Sequence, residues 1–364
     1  MAGDPGFGKR DRLPVILDVD TGIDDALALL YACASPEIDL LAVTCVAGNV
    51  PLEAVVANTL AVLELAGRGD VPVHAGADRP LVKSLTTTEE THGPKGIGYA
   101  IRPQANRGPT SHEAATAIVD LAGARPGEVQ LVTLGPLTNL SRALTREGRL
   151  PSLLRGWTMM GGAFGVPGNT TPTSEWNVHV DPDALEDCIG HWEVWLQPGT
   201  TPTARRPVAM GLNVTEQIRF LPRHLVALAR RAGCAEFDAD ALVDAASLML
   251  PSGSVATNPI LRFVADALRF YFEFHATNDG FYGAFIHDPF VVAATLDPSL
   301  IEIRPLTVDV ELGPGLAHGM TVADWRSAWS RAPNFDVAIK ADPDAFLDRL
   351  VERIGGLAAR SATP

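Results

Sequence analysis

Apolar residues recur along the chain with two alternating periods. Short apolar runs typical of buried strands are followed by segments in which apolar residues recur every three or four positions, as on a helix that buries one face. In the segment 23–34, for example, Leu27, Leu30 and Tyr31 share such a face. The pattern predicts strands at 14–20, 40–47, 71–75, 129–134 and 157–160, and helices at 23–34, 51–66, 111–124 and 136–145.

This alternation favours an α/β fold. Strands that alternate with helices form parallel sheets covered by helices on both faces. We therefore predict an open, doubly wound, mostly parallel sheet of Rossmann-like form. Residues 222–275 add helices, and residues 299–340 add a C-terminal region of strands. The candidate core leucines of the helical region are Leu225, Leu228, Leu242, Leu248 and Leu250.

We expect one domain, spanning residues 14–354, because the connections are mostly short and no internal repeat is present. Residues 1–13 and 355–364 are expected to be flexible termini. Two long irregular segments, 78–110 and 163–181, are rich in Gly, Pro, Thr and Asn. Long loops of this kind are often functional.

Composition narrows the classes of partner. The net charge of -14 is spread along the chain, and no Lys/Arg run offers a phosphate-binding face, so nucleic acid polymers and anionic membranes are disfavoured. The N-terminal residues lack an apolar signal core, and no apolar run is long enough to span a bilayer. The four cysteines form no CxxC pair, which fits a reducing cytoplasm better than a disulfide framework or a zinc site.

An aspartate cluster at the end of the first predicted strand is the strongest chemical signal, formed by Asp18, Asp20, Asp24 and Asp25. Helix capping explains one or two acidic residues at such a place, but not all of these. Crowded like charges repel unless a cation joins them. Because every ligand offered is an oxygen, the cluster indicates a hard cation, Ca²⁺ or Mg²⁺, rather than zinc.

Later segments carry weaker signals. Asp288 is predicted to cap a helix with Pro289 at its first position, and a His287-Asp288 pair by itself is more often structural than catalytic. Glu175 and Asn177 would project to the same side of an extended backbone, where they suit sugar hydroxyls.

Taken in order, these segments resemble the inosine-uridine-preferring nucleoside hydrolase family. The aspartate cluster matches the family signature DxDxGxDDA. It is followed by AGN at Asn49, HGPKGIG at His92, GPLTN at 135–139, MGGA at Met160, Glu175-Trp176-Asn177 and His287-Asp288. The resemblance covers about residues 14–340, and the ordered set is specific although each later motif alone is weak.

The resemblance implies a role for each matched residue. Ca²⁺ would be held by Asp20, Asp25, Asp288 and the backbone carbonyl of Leu134. The substrate-binding residues would be Asp24, Asn49, Asn177 and Asp288 for the ribose 2′- and 3′-hydroxyls, Asn169 and Glu175 for the 5′-hydroxyl, and Met160 against the sugar. The catalytic residues would be Asp20 and His287, with His92 in a loop that approaches the substrate, whereas Asp18 would support the turn from behind. The loop 78–110 and the stretch 274–286 would line the base side of the pocket, where their side chains decide between purine and pyrimidine.

The implied reaction is hydrolysis of the N-glycosidic bond of a nucleoside by a homodimer or homotetramer. Positive charge develops on the ribosyl ring, so we expect Asp20 to activate a water while His287 protonates the leaving base. Two departures from the family pattern are Thr21 in place of proline and the segment 211–216, where Asn213 and Glu216 replace an acid and a histidine.

Two other functions remain open at this level. A haloacid-dehalogenase-like phosphatase also carries a DxD motif after a strand, although the other parts of its site are missing here. A non-catalytic Ca²⁺-dependent nucleoside- or sugar-binding module would use the same acidic cluster without needing Asp20 or His287 for catalysis. An EF-hand is excluded, because Gly22 occupies a ligand position and the loop lacks its terminal Glu.

Overall fold

The computed structural model describes residues 12–200, 204–234 and 257–361. The predicted core residues Leu242, Leu248 and Leu250 lie outside these ranges. Among the described helices, none combines the length and the apolar character needed to cross a bilayer.

The strands match the predicted pattern closely. In chain order they are β1 (Leu13–Val19), β2 (Ile38–Cys45), β3 (Val73–Ala75), β4 (Gln130–Thr133), β5 (Gly156–Met160), β6 (Val208–Met210), β7 (Arg219–Phe220), β8 (Ala284–Phe285), β9 (Ile301–Leu306), β10 (Val308–Val310), β11 (Thr321–Ala323) and β12 (Phe335–Ala341). Eight of them form the central sheet in the order β3-β2-β1-β4-β5-β6-β12-β9, while β7 pairs with β8 and β10 with β11. Only the edge strand β9 runs antiparallel within the described central sheet.

Helices connect the strands and cover the sheet. They are α1 (Ile23–Ala34), α2 (Leu52–Leu65), α3 (Glu89–His92), α4 (Ala114–Ala124), α5 (Thr138–Arg146), α6 (Leu150–Leu153), α7 (Trp176–Val180), α8 (Pro182–Leu196), α9 (Leu212–Thr215), α10 (Pro222–Arg231), α11 (Pro259–Asn278), α12 (His287–Leu296) and α13 (Pro343–Ser361). The short helices α3 and α7 lie in the two long segments predicted to be irregular.

Each face of the sheet has its own apolar core, because side chains alternate between the faces along a strand. Along β1, Val15 and Leu17 join the core under α1, α2 and α10 to α13. Ile16 points the other way and joins the core under α4, α5, α6 and α8, which contains Trp157. The predicted doubly wound α/β fold is therefore confirmed.

The C-terminal end differs from expectation. We predicted flexible residues from Gly355 onward, but α13 continues to Ser361 and buries Gly355 to Ala358. The reason is a close helix contact, since a Cβ atom at Gly355 would lie 2.7 Å from side-chain carbons of Arg231 on α10. The glycine lets two helices approach each other and does not end the helix.

Asn139, in the first turn of α5, ties together the ends of three strands. Its Nδ2 donates to Asp18 Oδ1 at 2.8 Å and to the Cys45 carbonyl at 3.0 Å. Its Oδ1 accepts from the backbone N–H of Ala77 at 2.8 Å. The bonds link the chain at the carboxyl ends of β1, β2 and β3, and thereby position the loops that follow these strands.

Replacing Asn139 with Ala is expected to lower the free energy of unfolding by about 3 kcal/mol, because buried polar groups on three segments lose their partner. Urea denaturation measures this loss. Asn106→Ala serves as the matched control, since Asn106 is exposed and its side chain donates to Glu64 at 2.8 Å. Equal stabilities of the two variants would contradict a role for Asn139 in joining the strand ends.

Candidate active site

A cavity of about 650 Å³ opens at the carboxyl ends of the central strands. In the central sheet, β2 and β3 lie on one side of β1, and the later strands, beginning with β4, lie on its other side. Ligands of open α/β sheets bind at such a switch point. The cavity wall includes these predicted site residues: Asp20, Asp24, Asn49, His92, Leu134, Met160, Asn169, Glu175, Asn177, His287 and Asp288.

Three buried aspartates meet beside this cavity. Oxygen atoms of Asp24, Asp25 and Asp288 lie within 4.8 Å of one another, although the residues come from α1 and α12. Asp25 is oriented by the backbone N–H groups of Gly22 at 2.9 Å and Asp20 at 3.2 Å. The turn between β1 and α1 therefore holds one carboxylate of the predicted metal set from behind.

Asp20 is the fourth buried carboxylate. Its Oδ2 accepts from the Asn49 backbone N–H at 2.8 Å, whereas its buried Oδ1 has no hydrogen-bond partner among the described residues. Loops close on it at Gly48 and Gly135, where an added Cβ would lie 2.2 Å and 2.8 Å from its oxygens. Glycine at both positions allows the backbone to approach the carboxylate so closely.

The electrostatic environment of the cluster favours a cation. Burial, followed by repulsion from Asp25, raises the pKa of Asp24 to about 8 and that of Asp20 well above its ordinary value. Burial raises the pKa of Asp25 to about 6, and burial and neighbouring carboxylates raise that of Asp288 strongly. Buried like charges with an unpartnered oxygen fit a hard, oxygen-coordinated divalent ion.

Glu175 and Asn177 are held by a short helix, not by the extended backbone we had considered. Glu175 is the N-cap of α7, and its carboxylate accepts from the backbone N–H groups of Asn177, Val178 and Gly162. Asn177 Nδ2 donates to the Leu134 carbonyl at 2.6 Å. Asn169 is exposed at the rim, where its Oδ1 accepts from the Trp176 backbone N–H at 3.0 Å.

The histidines His92 and His287 are buried in the cavity wall. His92 Nδ1 accepts from the Ile23 backbone N–H at 3.1 Å, which places the ring proton on Nε2. His287 Nδ1 lies 2.8 Å from the Thr215 hydroxyl. Burial lowers the pKa of each to about 3, so both rings are neutral at pH 7.

The beginning of α12 requires a correction. The helix begins at His287, so Asp288 is its second residue and Pro289 its third. Asp288 was predicted to be the N-cap, but it lies within the first turn, where its carboxylate joins Asp24 and Asp25. Because the carboxylate of Asp288 points to Asp24 and Asp25, it does not cap its own helix.

Sequence reasoning missed Tyr271 and Glu216 as wall residues, whereas His275 and Asp279 lie in the stretch 274–286 that was expected to line the base side of the pocket. Tyr271 lies within α11, His275 and Asp279 lie at the C-terminal end of that helix, and Glu216 lies at the end of α9. Tyr271 belongs to an apolar helical stripe that is typical of a core helix. Asn213, whose role was in doubt, donates to the Ala338 carbonyl at 2.8 Å and does not line the cavity. Asp18 is also outside the wall, bound to Thr44 and Asn139.

Comparison with known proteins decides the family. The sequence model of the inosine-uridine preferring nucleoside hydrolases matches residues 15–348. The chain belongs to the inosine-uridine preferring nucleoside hydrolase family. This nucleoside hydrolase is 34% identical to an uncharacterized protein of Schizosaccharomyces pombe, over 95% of this chain and 100% of that one.

Other relatives have named activities. The pyrimidine-specific ribonucleoside hydrolase RihA of Salmonella paratyphi A is 34% identical over 94% of this chain and 98% of its own. The structure of a purine-preferring ribonucleoside hydrolase from Gardnerella vaginalis superposes with a TM-score of 0.81 at 28% identity, covering 95% and 99% of the two chains. The enzyme is thus a nucleoside hydrolase, which acts on N-glycosyl bonds of ribonucleosides, and not a phosphatase.

The acidic cluster should make the metal-free enzyme less stable as pH rises. The pKa values of Asp25, Asp18 and Asp24 are raised to about 6, 7 and 8 in the folded protein. A raised folded-state pKa contributes stability below the unfolded value near 4, and this stability is lost as pH rises through the folded values. With chelator present, Tm should therefore fall between about pH 5 and pH 8.

A bound divalent cation such as Ca²⁺ should reverse this loss, and its stabilising effect should grow with pH over the same interval. Thermal unfolding with chelator or Ca²⁺ measures both trends. Asp288→Asn should flatten the pH dependence, because it removes one of the mutually repelling charges, whereas Asp120→Asn on the exposed face of α4 should leave it unchanged. A Tm that is independent of pH in chelator would contradict the proposed repulsion.

Proposed function

We propose that the enzyme catalyses Ca²⁺-dependent hydrolysis of the N-glycosidic bond of ribonucleosides, releasing the free base and ribose. Water attacks an oxocarbenium-like ribosyl centre. The observation that carries the proposal is Asp20, a buried carboxylate on the cavity wall with one unpartnered oxygen beside the cluster of Asp24, Asp25 and Asp288. Family membership supplies the reaction class.

The calcium ligands we propose are Asp20, Asp25, Asp288 and the carbonyl of Leu134. The support is an oxygen-only donor set with raised carboxylate pKa values. The Leu134 carbonyl accepts one hydrogen bond from Asn177 and keeps a second lone pair. When bound there, the ion would supply Lewis-acid chemistry that orients a water and lowers its pKa.

Asp20 is the proposed general base. Its Oδ2 is fixed by Asn49, which leaves Oδ1 as the atom able to take a proton from the attacking water. Burial raises the pKa of this carboxyl well above its ordinary value, and such a shift strengthens a carboxylate as a base. The surrounding carboxylates stabilise the positive charge that develops on the ribosyl ring.

The ribose is held by polar side chains around the cluster. We assign its 2′- and 3′-hydroxyls to Asp24, Asn49, Asn177 and Asp288, its 5′-hydroxyl to Asn169 and Glu175, and its apolar face to Met160. All of them line the same cavity. The hydrogen bonds that already orient Glu175 and Asn177 reduce the cost of ordering them around a substrate.

His287 is the proposed donor to the leaving base. It acts from the neutral ring, in the tautomer whose Nδ1 accepts a hydrogen bond from the Thr215 hydroxyl and whose Nε2 carries the proton. His92, whose proton is placed on Nε2 by the Ile23 contact, offers a second neutral donor on the same wall. Both donors hydrogen-bond a departing base without requiring a buried positive charge.

We further propose that the enzyme works in the cytoplasm as a homodimer or homotetramer, with no membrane or nucleic acid partner. The four free cysteines support a reducing compartment.

The named relatives do not indicate which base this enzyme prefers, because one is pyrimidine-specific and another is purine-preferring. Assays therefore include inosine, uridine, adenosine, guanosine and cytidine, with and without chelator, and measure the reducing sugar released.

Asp20→Asn should lower kcat at least about a hundredfold, the usual contribution of a general base, while Asn retains an oxygen for the metal. Steady-state kinetics with the best nucleoside measures the loss, and calcium titration shows whether the ion still binds. Asp120→Asn, an exposed aspartate on α4, is the control. Near-normal turnover of a calcium-loaded Asp20→Asn enzyme would refute the assignment of the base.

Nucleoside 5′-monophosphates should be poor substrates. Among the described residues that line the cavity there is no Lys or Arg, whereas Glu90, Glu175 and Glu216 are present. A phosphate placed among unpaired acidic groups costs several kcal/mol, so kcat/KM for uridine 5′-monophosphate should be at least about a hundredfold below that for uridine. Release of inorganic phosphate in place of sugar would indicate phosphatase chemistry.

A further inference from the structure

Asp181, between α7 and α8, is a buried carboxylate that the proposed reaction leaves unused. It is 1% exposed and directly follows the last residue of α7. Its Oδ1 accepts from the backbone N–H of Ala184 at 3.1 Å and thereby caps the N-terminus of α8. Capping requires only this one oxygen, so the contacts of the other oxygen need a separate explanation.

The second oxygen of Asp181 joins two segments that are far from it in the chain. Oδ2 accepts from the Thr138 hydroxyl at 2.5 Å and from the Leu81 backbone N–H at 3.0 Å. Thr138 is the first residue of α5, and Leu81 lies in the β3–α3 loop, residues 76–88. A single carboxylate therefore holds the end of α7, the start of α5 and the β3–α3 loop together.

Each segment joined by Asp181 carries residues of the cavity wall. Asn177 lies on α7, Leu134 lies in the connection that leads to α5, and the β3–α3 loop contains Thr88 and continues to His92. Asn177 also donates to the Leu134 carbonyl at 2.6 Å, so α7 and the connection before α5 are joined at two points. The contact with the β3–α3 loop adds the side of the cavity that carries His92.

A lysine provides a second contact between the β3–α3 loop and α7. Lys83 Nζ donates to the His179 carbonyl at 2.5 Å. Burial raises the pKa of Asp181, but the hydrogen bonds from Thr138 and Leu81 oppose this shift because they stabilise the carboxylate. The charge of Asp181 in turn favours the ammonium form of Lys83. Two neighbouring groups of opposite charge therefore hold the loop on the end of α7.

We propose that Asp181 is a positioning residue for substrate binding, which holds the β3–α3 loop on α7 and so sets the distance between the His92 and Asn177 sides of the cavity. Because the loop is ordered before the substrate arrives, binding does not have to order it. The proposed catalytic residues Asp20 and His287 lie on other elements, after β1 and at the start of α12. This inference rests on the proposed nucleoside hydrolase reaction and adds a residue outside its cavity.

Asp181→Asn tests this role, because asparagine retains an oxygen that can cap α8 but replaces the second acceptor with an NH₂ group. KM for the best-hydrolysed nucleoside should rise about tenfold, the loss expected for one hydrogen bond, while kcat should change by less than about twofold. A purely structural defect differs, since a smaller folded fraction lowers the apparent kcat and leaves KM unchanged. Asp183→Asn, two residues further along α8, is the matched control and should keep both constants.

Hydrogen exchange measures the contact without relying on activity. The backbone amide of Leu81 is protected by Asp181, so the peptide covering residues 76–88 should exchange faster in Asp181→Asn than in the wild type. Lys83→Met removes the second contact and retains the length of the side chain. It should raise KM and speed exchange of the same peptide, whereas Asp183→Asn should change neither.

The outcomes separate this role from the reaction on which it rests. An unchanged KM in a folded Asp181→Asn enzyme, or equal exchange of the peptide 76–88 in wild type and variant, overturns the inference. Thermal unfolding verifies folding, and Lys83→Met decides the matter by the same two measurements if Asp181→Asn does not fold. Failure of the wild type to hydrolyse any nucleoside instead overturns the proposed function, while the exchange measurement still tests whether Asp181 holds the loop.

Discussion

Crowding of buried carboxylates at the end of β1 is the constraint on which the rest of the site depends. Asp20, Asp24 and Asp25 follow one strand directly, and α12 adds Asp288 to them. Burial raises all their pKa values, and repulsion between neighbouring carboxylates adds to the shift at Asp20, Asp24 and Asp288, so the arrangement is unfavourable for the protein alone. A fold that retains these crowded carboxylates must hold them in place by other contacts, and it gains stability when a cation binds.

Those contacts come from the backbone around the cluster. N–H groups of the β1 to α1 turn orient Asp25, and the N–H of Asn49 fixes one oxygen of Asp20. Gly48 and Gly135 let the neighbouring loops approach without a clash. Asn139 then joins the strand ends behind them, so a stability determinant and the geometry of the active site share the same buried network.

Different kinds of hydrogen-bonding side chain lie in different parts of the cavity. Carboxylates and amides gather where the strands end and suit the sugar, whereas histidines and aromatic rings gather where α11 and α12 meet. Each histidine has a different partner on Nδ1, so the neutral rings present different hydrogen-bonding characters to a ligand.

The sequence by itself determined the doubly wound fold, the acidic cluster and the family, because these follow from local periods and from motifs close together in the chain. The predictions from sequence were wrong where the same short segment is compatible with more than one local structure. Asp288 joins the acidic cluster and does not cap its own helix. Glu175 caps a helix, whereas we had considered an extended segment there. Gly355 allows two helices to pack closely, whereas we had expected the ordered chain to end there.

Only the tertiary structure decided which side chains complete the cavity wall. Tyr271 and His275 are spaced like core residues on α11, and the period of a helix is the same whether its buried face meets a core or a cavity. Their place beside His92 depends on contacts between segments more than a hundred residues apart. Such contacts arise from packing and leave no local pattern in the chain.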